Sequence, residues 1–224
     1  MAHGASSQSG LTQPASAGSL ARTLGNPMRL LVIPQALKSE FATVEALWGC
    51  AGTTRRVDAL LLCWVKYEKQ LRRLFSFLVF QHPHVTEKTI ESVVSVMVKN
   101  RNLYPETFEK CIKALGVPDV PTLIGAHHSS IAAEMRRIKR YRNKLMHGQI
   151  TGENVSSNQI EKDVLVLINW ISSLAAGAQN TFGYDGIQRN TFRAAKAASG
   201  IAVSSFPFAN SAEFKTWLEG VCNA

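Results

Sequence analysis

A histidine that can move a proton and an arginine that can hold a phosphate stand five residues apart in this chain, at Arg142 and His147. They lie in the run Arg136-Arg137-Ile138-Lys139-Arg140-Tyr141-Arg142-Asn143-Lys144-Leu145-Met146-His147-Gly148, which holds six basic residues and ends on glycine. Histidine titrates near neutrality and can act as acid or base. Arginine stays charged and presents a planar fork to phosphate oxygens. RNA carries its own nucleophile, the 2′-OH, so its cleavage needs a base, an acid and positive charge at the phosphorus. His147 and Arg142 supply these functions, and neither a metal nor another cofactor is required. DNA lacks the 2′-OH and is not a substrate for this chemistry. Arg136, Arg137, Lys139, Arg140 and Lys144 are expected to hold the RNA backbone, contacts that bring affinity and salt dependence but little sequence choice. The competing reading of the same run is a solvated basic helix face.

Positioning these groups requires a helix. Ile131, Met135, Ile138 and Leu145 recur at helical spacing and predict one from Ser129 or Ser130 to His147, with Gly148 as its stop. Arg142 falls inside that apolar stripe, and a guanidinium cannot stay unpaired in a core. On an earlier helix, Leu61, Trp64, Leu71 and Phe75 form a second stripe, and Glu68 sits within it. Glu68 is therefore the expected partner of Arg142, with Asp58 as second choice. Such a pair can equally serve only to fix helix register. His147 shares its face with Asn143, Arg140 and Arg136. Arg142 and His147 are about 140° apart around an ideal helix, a gap that a second subunit could close.

The remaining elements follow from caps and breakers. Residues 1–27 are rich in Ser, Gly, Ala and Pro and are expected to be disordered. Helices are predicted from Ser39 to Trp48, from Arg55 to Gln81, from Thr86 to Lys99, from Pro105 to Gly116 and from Ser156 or Ser157 to Ala176. Val117–Gly125, with two prolines, reads as a loop. Short helices are expected near 190–199 and 211–221, and Ile201–Phe208 is the only weak strand candidate. The expectation is an all-α antiparallel bundle over 28–176, with a C-terminal extension over 177–224.

Composition sets the outer limits. The chain has 224 residues, 46% apolar, a formal charge of +9 and a pI near 9.6. That excess favours an anionic partner such as RNA. No run approaches the ~18 uncharged apolar residues of a membrane span. Cys50, Cys63, Cys111 and Cys222 are scattered, without CxxC or ligand spacing, and fit a reducing, cytoplasmic setting. The pairs His127-His128 and His82/His84 read as loop histidines without function. No phosphate-binding glycine loop or nucleophile elbow is present.

The tract Arg142-Asn143-Lys144-Leu145-Met146-His147 resembles the Arg-polar-x-x-x-His signature of the HEPN superfamily, and the resemblance spans roughly residues 40 to 176. It implies an α-helical fold and metal-independent endoribonuclease activity, as in toxin–antitoxin modules, phage defence or RNA processing. It also implies a homodimer in which two Arg–His motifs line one cleft, and an antitoxin or regulatory protein as a further partner. Arg142 and His147 would be the active pair, Asn143 the polar residue after the arginine, and Glu68 the supporting acid. HEPN toxins silenced by nucleotide transfer carry a tyrosine two residues after the histidine. Gln149 stands there, so that form of control is not expected. The alternative is a HEPN-like module that binds RNA or protein without catalysis, and after it a helical adaptor for an acidic protein.

Overall fold

The computed structural model describes residues 30–50, 52, 54–148, 155–189, 192–198, 200 and 202–224. The tail expected to be disordered, residues 1–27, lies outside them. Among the described residues there is no strand, and the chain is an all-α bundle. A 3-10 turn, Gln35–Leu37, leads into α1 (Lys38–Gly49), followed by α2 (Arg55–Phe80), α3 (Ile90–Lys99), α4 (Pro105–Ala114), α5 (Val120–Ile124), α6 (His127–Met146), α7 (Ser157–Phe182), α8 (Phe192–Lys196) and α9 (Ser211–Asn223). Leu31–Ala224 pack as one unit.

The core forms on α2 and α7. Leu60, Trp64, Tyr67, Leu71, Leu74 and Leu78 recur every three or four residues along α2, and all are buried. Ile160, Val164, Leu167, Ile171, Leu174 and Ala178 do the same along α7. Each large side chain so buried contributes about 1.5–3 kcal/mol. Arg56 pairs with Glu161 at 2.6 Å, Tyr67 meets Trp170, and Gln70 Nε2 donates to the Ile171 carbonyl at 3.1 Å. The partners advance together, so α2 and α7 run in the same direction. Chain neighbours run oppositely, as their short connections predict. Glu40 on α1 reaches Lys69 on α2, while Arg55 reaches back to the Cys50 carbonyl. Arg137 on α6 pairs with Asp163, while His128 touches Trp170 further along α7.

Several boundaries differ from the sequence reading. Val117–Gly125 is not all loop, because Asp119 caps α5 by accepting from the Thr122 N–H at 3.1 Å. Pro121 sits in the first turn of α5, where a missing N–H costs nothing. α6 starts at His127, so the two histidines open a helix rather than occupy a loop, and Ser129 and Ser130 bond back to the carbonyls of Ala126 and His127. α3 starts at Ile90 because Thr89 accepts from the Thr86 N–H and donates to the His84 carbonyl, closing a turn. α1 begins at Lys38, without a side-chain cap from Ser39. α7 continues past Gly177 to Phe182 and ends on Gly183 in the left-handed conformation.

Gly177 is a point of close approach, not a stop. A Cβ there would stand 1.8 Å from the Leu123 carbonyl oxygen of α5. At the other end of the bundle, Phe206 and Phe208 make no strand but pack with Phe214, Trp217 and the buried His82. His82 Nε2 donates to the Phe208 carbonyl at 2.7 Å, and Nδ1 accepts from the His84 N–H at 3.1 Å. Both nitrogens are used by the neutral ring. Cys63 and Cys111 are core residues whose thiols burial pushes up to about 12, so neither is a thiolate at neutral pH.

Two outcomes are expected. Gly177→Ala should destabilise the protein by about 2–4 kcal/mol through overpacking against α5. Gly220→Ala, in open space on α9, should be neutral or stabilising by up to about 1 kcal/mol. Equal denaturant midpoints for the two variants would reject the close approach. Burial lowers the pKa of His82 below its usual 6.5. Its stabilising contribution is thus complete above 6.5 and is lost as pH falls through the lowered folded value. Between pH 7.5 and 5, calorimetric Tm should fall more steeply for the wild type than for His82→Gln, and parallel curves would remove His82 as the cause.

Candidate functional site

Arg142 leaves α6 toward α2 and meets Glu68. Its Nη2 donates to Glu68 Oε1 at 2.9 Å, and its Nη1 donates to Asn143 Oδ1 at 3.0 Å. The same Glu68 oxygen accepts from the Trp64 indole N–H at 2.8 Å, one helical turn earlier. The guanidinium carbon lies 5.7 Å from the centre of the Trp64 ring, within cation–π range. The expected Glu68–Arg142 pair is therefore formed. Asp58, the second choice, instead accepts from the Thr54 hydroxyl at 2.9 Å. Neither side chain of the pair is fully buried, at 23% and 26% exposure. Of the five guanidinium donors, the Glu68 and Asn143 bonds use two. Among the described residues no further hydrogen bond of the guanidinium is made.

His147 is the C-cap of α6, and its N–H bonds to the Asn143 carbonyl at 3.1 Å. The ring is exposed. Among the described residues no hydrogen bond joins it to Arg142 or to any other side chain. Arg136 and Arg140 are exposed on the same face as His147, with Asn143 between them and the histidine. Eleven residues of helix separate Arg136 from His147, roughly 16 Å. Lys144 is half-buried beside this line.

Two members of the basic run are engaged elsewhere. Arg137 holds both oxygens of Asp163, with Nη1 to Oδ2 at 2.9 Å and Nη2 to Oδ1. Asp163 is fully buried and also accepts from Gln159 Nε2 at 2.9 Å. Arg137 is thus committed to α7. Lys139 pairs with Glu106 of α4. The charge run alone could not separate these residues from Arg136 and Arg140. A signal for Asp163 existed, since an acid stands between Ile160 and Val164 in the apolar stripe of α7. Trp64 appeared in the sequence only as a core residue, and its bond to Glu68 had no sequence signal. Among the described residues, no three His, Cys, Asp or Glu side chains come together that could hold a metal ion.

No known protein family, no curated protein and no solved structure matches this chain.

The two arginine pairs should separate by magnitude. Arg137→Ala strands a buried carboxylate and should cost about 3–5 kcal/mol. A Glu68/Arg142 double-mutant cycle should give a coupling of about 1 kcal/mol, as fits a partly solvated pair. Equal costs for the two arginines in urea denaturation would overturn the distinction.

Proposed function

We propose that this protein is a metal-independent endoribonuclease of HEPN type. The observation that carries the reading is the Arg142 guanidinium, held by Glu68, Asn143 and Trp64 with donors to spare, on a basic helix that ends in an exposed histidine. A phosphate-binding group held in place before the substrate arrives loses little freedom on binding. Arg136, Arg140 and Lys144 attract and align the RNA backbone, and Arg142 holds the reacting phosphate. A histidine takes the proton from the 2′-OH, the 2′-oxygen bonds to phosphorus, and the bond to the 5′-oxygen breaks as a second acid protonates it. The products are a 2′,3′-cyclic phosphate and a 5′-hydroxyl.

One chain offers one histidine at this place, and its ring stands on a different side of α6 from Arg142. A homodimer supplies the second acid–base group and closes the gap. The exposed Val65 and Met146, at 51% and 57%, lie on the two helices that carry Glu68 and Arg142 and suit such a contact. A role as toxin or defence effector, and an antitoxin or regulatory partner, belong to the same proposal through the resemblance of the Arg142–His147 tract. The second reading is an RNA-binding module without catalysis, which a His147 ring with no side-chain partner among the described residues favours.

The test is RNA cleavage in EDTA by the wild type and by His147→Ala. Cleavage by the wild type alone, leaving cyclic phosphate ends, is the expected outcome. Arg142→Ala should reduce the rate by roughly a hundredfold or more, the scale of a lost charge-stabilising donor. Salt-sensitive RNA binding with no cleavage by a folded dimer would replace the enzyme by the binding module.

A further inference from the structure

A cavity of about 490 Å³ opens between α2, α3, α4 and the connection from α3 to α4. α3 packs more closely on α9 than on α2, and space beside α2 stays open. Arg72, Ser76 and Phe80, four residues apart on α2, line the cavity from one side. Val94, Met97 and Val98, at helical spacing on α3, line it from the other, and Leu103 and Phe108 complete it. Val94 and Val98 are exposed, so apolar surface here remains in water. A cleft of this volume is the size of a small-molecule site.

Its charges are of one sign. Arg72, Arg73 and Arg101 line the cavity, and among the described residues no carboxylate does. Arg73 is committed, since it donates to the Ile187 carbonyl and lies 3.7 Å from Glu40 Oε2. Arg72 and Arg101 make no ion pair among the described residues. The Arg72 guanidinium stands 5.9 Å from the centre of the Phe108 ring, which steadies its fork beside the apolar wall. The neutral polar side chains are bonded within the fold. Ser76 Oγ donates to the Arg72 carbonyl at 2.8 Å, Asn100 Nδ2 donates to Cys222 Sγ at 3.5 Å, and Asn100 Oδ1 accepts from the Asn102 N–H at 2.9 Å. Apart from the arginines, a base edge finds little to pair with here. An apolar body with one anionic head finds both halves of its chemistry.

We propose that this cavity binds a small acid with an apolar body, of the class of medium-chain fatty acids. The tail covers Val94, Met97, Val98 and Phe108, and Arg72 and Arg101 take the carboxylate. An arginine fork matches the two oxygens of a carboxylate. Met97 is the adaptable member of the wall and lets tails of different shape fit. The site stands apart from the ribonuclease reading. Neither Arg142 nor His147 lines it, so either proposal can fail without the other.

The experiment is calorimetric binding of butanoate, octanoate and 1-octanol to the full chain at low ionic strength. Octanoate should bind at least about tenfold tighter than butanoate, because its additional methylenes leave water, each worth about fourfold at most. It should also bind at least about tenfold tighter than 1-octanol, the scale of a lost hydrogen bond to a charged group. Arg72→Gln and Arg101→Gln should each weaken octanoate binding by roughly tenfold, on the same scale. Lys110→Gln, which removes an exposed charge of α4 outside the cavity, should not. Circular dichroism checks that each variant folds. Arg101 is exposed in the connection after α3, so Arg101→Gln decides if Arg72→Gln does not fold. Equal binding of butanoate and octanoate would reduce the site to surface charge and overturn the proposal. So would 1-octanol binding as tightly as octanoate, no octanoate binding, or unchanged octanoate affinity in the folded arginine variants. Uridine 3′-monophosphate binding tighter than octanoate, and lost in Arg101→Gln, would overturn it in favour of a nucleotide site.

Discussion

The carboxylate of Asp163, wholly out of water, sets where the basic helix lies. α6 is a polar helix whose buried side chains are only Met135, Ile138 and Tyr141. Burial of three side chains does not define a unique rotation for twenty residues. An ionised carboxylate in the core is tolerated only with its partners in place. Asp163 takes two bonds from Arg137 and one from Gln159. Sliding or turning α6 would strand it. With Arg137 held against α7, helical geometry does the rest. Arg142, five residues on and about 140° around the axis, is turned to the other flank of the core stripe and faces α2. Arg136, Arg140 and His147 are turned away from the core together. One structural ion pair thereby sorts a run of charges into one anchoring arginine, one arginine against α2 and an exposed basic line.

The arginine against α2 is held differently, and the difference bears on what it can do. The Arg137–Asp163 pair has its carboxylate at 0% exposure, whereas Arg142 and Glu68 each keep about a quarter of their side-chain surface in solvent. A carboxylate with no access to solvent cannot exchange partners without a large penalty. A partly solvated pair can, because water and an incoming anion compensate the change. Asn143 and Trp64 keep the guanidinium in place during such an exchange. The surroundings of Arg142 combine a fixed position with partial solvent access, the combination that the proposed phosphate-binding role requires.

The sequence carried the fold class and the pairing of Glu68 with Arg142, and for one reason. A charge inside an apolar stripe must find its opposite, and only a few candidates have the right face. The same rule applied to α7 would have found Asp163, yet Arg137 was hidden among five other basic residues. Where the sequence misled, a breaker residue had a second use. Pro121 stands in the first turn of α5, where it breaks nothing. Gly177 lies inside α7 because the Leu123 carbonyl needs the space of a missing side chain. Glycine as a stop and glycine as a contact look alike in a single sequence. Only the position of α5, set by tertiary packing, tells them apart. The bond from Tyr67 to Glu109 spans 42 residues of chain, and no local pattern announces it.

Trp64 and Tyr67, three apart on α2, each hand a hydrogen bond to a carboxylate of different standing. Glu68 receives the indole N–H and also has Arg142. Glu109 receives the phenol and makes no ion pair among the described residues, although Lys139 is near enough to favour its charged form. Desolvation raises the Glu109 pKa, so the ionised form is the less favoured one in the folded chain. The sign follows directly: stability that is present at low pH is lost as pH rises through the folded value. The Tyr67 bond offsets only part of that, and burial also pushes the tyrosine well above its own usual range. Lys139, whose charge favours the Glu109 carboxylate, is itself paired with Glu106. A core selected for stability alone would do better with an apolar side chain at position 109.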